Sequence, residues 1–346
     1  MITKLESQLQ QANCDYTVLH NDEGAHIILL TRGGRVLNVA ASRSNSYAPF
    51  WTNPQAFASR HWNAGGDRTW ISPELEYFID DAGQYAIPTQ LDPGSWNVTQ
   101  YSSEEAALRM TCELHHKNAN ARVGLNLNKH FRLLLNPLHL NHSAAPLNNR
   151  SVRYVGYEVV TDLRLEPLSI ARAEPSPGYC SLWSIMQLPA DGTALIPTRG
   201  TVTPLTMFAE REPTDIKLLP EGAYIQCGGE YSFKLSFDAI SSTGRYGYIR
   251  QLNCSQSSLV VRQFSVNPAA RYPDYPPDNP RYLGSCMQIY HDGNRLGNFA
   301  ELEYQSPALP IDRIGRMIDA SQVFHFEGPS PAIHHIAEVM LGMYSR

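Results

Sequence analysis

From Tyr16 to Phe326 the chain is a succession of strand-length apolar segments, each closed off by Gly, Pro, Asn or Asp, and this pattern limits the fold more than any other feature. Segments this short, rich in β-branched and aromatic residues, cannot bury themselves as helices; they must pair edge to edge. Residues 26–31 and 35–40 flank Gly33-Gly34 and read as a hairpin. Residues 107–114, 122–135, 152–160, 180–188, 231–238, 246–251 and 258–266 continue the series. A late hairpin is marked by 282–290 and 298–305, on either side of Asp292-Gly293. Helical signals stand only at the ends. Thr3 and Glu6 form a capping box that predicts a helix over about residues 4–12. Near the other end, Ser330 as cap, Pro331 in the first turn and the stripe Ile333, Ile336, Ala337 and Met340 predict a helix over about 331–342. The fold class is therefore mostly β, with large antiparallel sheets packed face to face and short helices at the termini. No repeat or low-complexity linker divides residues 1–346, which read as a single domain.

Charge and motif content narrow the function. Charged residues make up 18% of the chain, the net charge is −5, and no Lys/Arg cluster offers a nucleic-acid footprint. Apolar runs are too short to span a membrane as helices, and the first residues lack a signal-peptide core, so a cytoplasmic protein is expected. The six cysteines contain no Cys-x-x-Cys and are expected to be reduced. Dinucleotide, P-loop, nucleophile-elbow and His-Glu-x-x-His motifs are absent. The adjacent pairs His115-His116 and His334-His335 diverge on regular elements, and His139 with His142 lacks a third ligand, so neither a metal nor a cofactor is expected. The irregular stretch 268–281 holds Tyr272, Tyr275 and five prolines and reads as an ordered loop laid over a surface.

One strand carries a candidate site. In extended chain Glu301, Glu303 and Gln305 share a face, while Leu302 and Tyr304 take the other. Such a strand either lines a cleft or lies at an edge with one solvated face.

Two segments resemble a known family. Gly65-Gly66-Asp67-Arg68-Thr69-Trp70-Ile71-Ser72-Pro73-Glu74 is similar to a Gly-Gly-x-Arg-x-Trp-x-x-Pro-Glu stretch of uncharacterised bacterial members of the galactose mutarotase-like (aldose 1-epimerase-like) superfamily. Leu302-Glu303-Tyr304-Gln305 resembles the Leu-Glu-x-Gln strand of aldose 1-epimerases, and residues 182–189 also look like those bacterial relatives. The resemblance runs from about residue 34 to about residue 326 and implies a β-supersandwich whose concave face binds a small or oligomeric carbohydrate. It implies Glu303 as catalytic base, with Glu301 and Gln305 beside it. Arg68 would hold the sugar, its backbone brought close by Gly65-Gly66; a salt bridge to Asp67, Glu74 or Glu76 is the alternative. Trp70 reads as a stacking platform or as core, and His61 with Trp62 as outlying members of the cluster. The family's acid is the His of a Thr-Asn-His-Ser-Tyr segment. The nearest match here is Leu140-Asn141-His142-Ser143, followed by Ala144-Ala145; by strand order the equivalent is 152–163, where Tyr157 takes the acid's place. The reading is a carbohydrate-binding protein with aldose 1-epimerase chemistry, against a non-catalytic binder or a sugar lyase or hydrolase on the same scaffold. A histidine facing Glu303 would favour the epimerase, aromatics and amides alone the binder, and a second carboxylate or tyrosine the lyase or hydrolase.

Overall fold

Strand pairing follows the turn signals. A computed structural model describes residues 2–43, 47–80, 82–140, 151–170 and 178–343. One ten-stranded sheet runs in the order Tyr16–His20, His26–Leu30, Arg35–Ala40, Asp67–Ser72, Tyr179–Pro189, Phe299–Gln305, Ser285–His291, Phe233–Asp238, Leu205–Ala209, with Leu309–Pro310 also on Tyr179–Pro189. The other, also of ten strands, runs Ile216–Leu219, Gly222–Gln226, Thr193–Pro197, Arg245–Gln251, Gln256–Phe264, Gly315–Pro329, Arg153–Ile170, Ala121–Leu134, Glu105–His116, Asn97–Gln100. Neighbours in both sheets are antiparallel, so the fold is mostly β and built of two large antiparallel sheets.

The two sheets differ in how they meet water. In Ala121–Leu134 Val123, Leu125, Leu127 and Phe131 are buried while Arg122, Asn126 and Arg132 are exposed, the alternation of a sheet with one solvated face. In the first sheet His26–Leu30, Asp67–Ser72 and Phe299–Gln305 are buried at every position, so both faces are covered. Between the sheets lie Leu125, Leu127, Leu163, Leu182, Met186, Ile289, Leu302 and Val323. Each such side chain contributes about 1.5–3 kcal/mol on burial. The outer face of the first three strands is covered by the helices Ile2–Gln11 and Pro54–Ser59, through Leu5, Leu9 and Phe57.

Helices depart from expectation in two details. The short helices Pro54–Ser59 and Glu74–Tyr77 stand inside the chain, the first capped by the Asn53 side chain. At the C-terminal end Ser330–Leu341 forms as expected and packs Ile333, Ile336 and Ala337 on the second sheet, but its N-cap is Pro329, not Ser330. The strand Gly315–Pro329 runs straight into the helix, so its last residue is also the cap, and Ser330 Oγ instead accepts a hydrogen bond from Ser257. All six cysteines are unpaired. Among the described residues no helix is long and apolar enough to cross a membrane.

Candidate functional site

Residues directly opposite in an antiparallel ladder share a face. Arg68 pairs with Ile185, Ile185 with Glu303, and Glu303 with Gln288, so Arg68 and Glu303 lie in one cross-strand row. The next row carries Glu301, Tyr290 and Lys234. These rows face away from the second sheet, whereas Tyr304 on the opposite face stacks on Phe264 and donates to Asp319 at 2.5 Å. Phe299–Gln305 is thus a central strand, paired on both sides, and the edge-strand alternative is excluded.

Gly65 and Gly66 set the entry to the Arg68 strand, but by approaching protein rather than ligand. Both have positive φ, and a Cβ would come 2.2 Å from the Trp51 carbonyl oxygen at Gly65 and 2.4 Å from that of Val36 at Gly66. Only glycine fits this crossing.

Above the rows opens a cavity of about 460 Å³. Its charged lining is Arg68, Glu74, Lys234, Asp274, Glu301 and Glu303; Trp62, Trp70, Trp183, Tyr275 and Tyr290 supply much of the wall. The Arg68 guanidinium stacks 4.1 Å over Trp70 and donates to Glu301 at 2.9 Å, a partner that differs from the three carboxylates named from sequence. Its Nε and Nη1 are buried with no partner among the described residues. Trp70 is both wall and core: it lines the cavity, is held by Asp92 at 2.9 Å and packs on Trp183.

Glu303 is fully buried. Its Oε2 accepts from Trp183 Nε1 at 2.6 Å and lies 3.2 Å from Lys234 Nζ, while Oε1 has no partner among the described residues. Burial is the main cause that pushes its pKa up to about 8; the Glu301 and Glu74 charges add to this, against Lys234 and the indole N–H. Burial alone would lower Lys234, yet Glu303, Glu74 and Asp274 together hold it above its ordinary value. The ammonium also lies 2.9 Å from Glu74 Oε2. Asp274 is raised by burial; it accepts from the Glu74 backbone N–H at 3.0 Å and from Gln288 at 2.6 Å.

The loop expected over residues 268–281 carries Asp274 and Tyr275 onto the cavity, with Tyr272 buried beneath it. Lys234 comes from a strand with no motif of its own, and nothing local in the sequence distinguishes it. Sequence offers Glu74 only as a salt-bridge alternative for Arg68, and its position at the end of the Gly-Gly-x-Arg motif is the signal that marks it.

Several expected residues fall elsewhere. Tyr157 is buried between the sheets, where its hydroxyl donates to Asp67 at 2.5 Å; Arg262 from the second sheet clamps the same carboxylate at 2.7 and 2.9 Å. Burial and the Asp67 charge raise the phenol well above its ordinary value, so Tyr157 is a structural hydrogen-bond donor, outside the cavity lining. His142 lies outside the described residues. His61 is exposed, 5.3 Å from the Trp62 ring, and does not line the cavity, because it follows the solvent-facing end of Pro54–Ser59. Gln305 is buried and outside the cavity lining, accepting from Ser72 Oγ and reaching Gln288 at 3.5 Å; through Gln288 it braces Asp274.

A sequence-family model described as a family of unknown function, DUF6786, matches residues 4–345. No curated protein matches the sequence significantly. Among solved structures, the chain is similar to the GalM/aldose epimerase homologue from C. elegans, with 8% identity, 90% of this chain and 98% of that one covered, and a TM-score of 0.43. It is also similar to galactose 1-epimerase from Lactobacillus acidophilus NCFM, with 10% identity, 91% and 95% covered, and a TM-score of 0.42.

Proposed function

The chain belongs to the DUF6786 family, and we propose that its cleft binds a carbohydrate and moves protons at the sugar's anomeric centre. One observation carries the reading. Glu303 Oε1 and Arg68 Nε and Nη1, all buried and without partners among the described residues, belong to side chains lining one aromatic-walled cavity. Buried polar groups demand hydrogen bonds, and a pyranose offers both hydroxyl donors and acceptors for them, with apolar C–H faces for tryptophan. The motif resemblance around Arg68 and Glu303 points the same way.

Mutarotation needs an acid at the ring oxygen and a base at the anomeric hydroxyl. A Glu303 carboxyl pushed up to about 8 carries its proton at neutral pH and supplies the acid, a reversal of the base role implied by resemblance. Glu74, across Lys234 in the same cavity, accepts the hydroxyl proton. The ring opens, the aldehyde turns, and on reclosure each carboxyl regains its own proton state.

A second reading, a binder without turnover, is favoured by the lining itself: among the described residues no histidine lines the cavity, and Lys234 holds both candidate carboxylates. Saturation-transfer NMR against a panel of aldoses tests binding, and anomer exchange followed by NMR tests turnover. Binding with accelerated exchange supports the proposal; binding without it leaves the binder; no aldose bound at millimolar concentration overturns both.

A further inference from the structure

The mouth of the cleft has a property that its floor does not explain. Tyr85, Phe208 and Leu296 line the cavity yet remain 50%, 44% and 48% exposed. They come from three separate parts of the chain, and each is held there by a specific device. Tyr85 donates to Glu74 Oε1 at 2.9 Å and stacks on Phe78. Leu296 is fixed through its backbone: the Asp292 carboxylate accepts its N–H at 2.9 Å, and Asn63 donates to its carbonyl at 3.0 Å. Phe208 follows a register break between Thr206 and Phe208 in the pairing with Phe233–Asp238. Consecutive residues of a regular strand point to opposite faces, but here Met207 and Phe208 both line the cavity, the re-aiming that a β-bulge produces.

Three exposed apolar side chains fixed around one opening are a preorganised apolar surface, and such a patch beside a polar cleft marks a contact made with a ligand. Inward of Phe208 the rings continue through Tyr290 at 6.0 Å to Phe299 at 6.1 Å, so the apolar wall runs from the mouth to the charged floor. The volume falls among pockets that enclose drug-sized ligands, larger than one pyranose.

We propose that the ligand is a reducing oligosaccharide: its reducing ring sits on the Arg68, Glu301 and Glu303 floor, and its next ring stacks at the mouth between Tyr85, Phe208 and Leu296. This rests on the carbohydrate reading above and adds the size and polarity of the chain's end. Attachment of the second ring through a non-anomeric oxygen leaves the anomeric hydroxyl free for the floor groups.

The test is calorimetric titration with glucose and galactose and with the reducing disaccharides maltose, cellobiose, lactose and melibiose. Stacking one further ring should make at least one disaccharide bind about tenfold tighter than its reducing monosaccharide. In Phe208→Ala, and separately in Leu296→Ala, that disaccharide-to-monosaccharide ratio should fall to near one. Equal affinity for every disaccharide and its monosaccharide, or a preference that both variants keep, overturns the mouth subsite and leaves the carbohydrate reading standing. If none of these sugars binds, the carbohydrate reading itself falls, and the subsite with it.

Discussion

Glu303 Oε2 lies 3.2 Å from Lys234 Nζ, with both side chains buried. An ammonium at that distance ordinarily draws a carboxyl pKa down. Here burial outweighs it, with Glu301 and Glu74 adding like charge, and the Glu303 proton is retained to about pH 8. The same contact helps raise Lys234. At neutral pH the cavity floor thus holds the neutral Glu303 carboxyl and the Lys234 ammonium side by side, so that Glu303 is able to donate a hydrogen bond.

Replacing Glu303 with Gln tests that proton. The folded-state pKa, about 8, stands above the ordinary 4.5, so the folded chain keeps a proton that the unfolded chain releases between those values. The group's contribution to stability is complete below pH 4.5 and is lost as pH rises through 8, with a slope of at most about 1.4 kcal/mol per pH unit. Glu303→Gln has no such dependence, so its melting temperature relative to the native protein should climb from pH 5 to pH 9 in scanning calorimetry. A flat difference would show an ordinary carboxyl. Anomer exchange should also fall about 10²–10⁴-fold, with sugar affinity largely kept.

Lys234→Met leaves Glu74, Asp274 and Glu303 without their shared cation. Removing one partner of a buried ion pair costs about 3–5 kcal/mol. Urea unfolding at pH 8 should show a loss of that order, and at pH 5 a smaller one, because Glu303, raised by burial to about 8, then carries its proton. An equal loss at both pH values would mean that packing of the lysine stem, not charge, is what was removed.

His325 gives an acid-side prediction of opposite sign. It is fully buried, neither ring nitrogen has a partner among the described residues, and burial followed by the Arg153 charge lowers its pKa to about 3. The unfolded chain binds this proton below its ordinary 6.5 and the folded chain does not, so stability falls as pH drops from 6.5 toward 3. Between pH 6.5 and 5 the loss is about 2 kcal/mol. Urea unfolding of His325→Phe should lack this component, and its stability relative to the native protein should rise over the same interval.

The architecture was legible because alternation and turn residues are local. Gly33-Gly34 and Asp292-Gly293 mark the two hairpins, and the shared face of Glu301 and Glu303 follows from a period of two. Half the floor was legible for the same reason: Arg68, Glu301 and Glu303 sit in motifs short enough to be read along the chain. Lys234 and Asp274 were not, since they reach Glu303 only through strand order and a folded loop, and no local period encodes which strand neighbours which. Tyr157 is the opposite case. Strand order alone puts it in the cleft, but its strand belongs to the second sheet, where Tyr157 and Arg262 together meet Asp67 of the first.

Tyr157→Phe turns that correction into a measurement. The phenol donates to Asp67, which stays clamped by both Arg262 nitrogens when the hydroxyl is gone. A hydrogen bond to a charged acceptor contributes about 1.5–3 kcal/mol, and the remaining clamp keeps Asp67 paired, so the loss should sit near the lower end of that range in urea unfolding. Because the ring lies between the sheets and not on the cavity, sugar affinity and any anomer-exchange rate should stay within about twofold of native, against the 10²–10⁴-fold that losing a catalytic acid brings. A large rate loss with little loss of stability would restore Tyr157 to the chemistry. The expected result, stability lost with rate and affinity kept, makes Tyr157 a structural donor and leaves the proposed proton transfer with Glu303 and Glu74, which meet at Lys234.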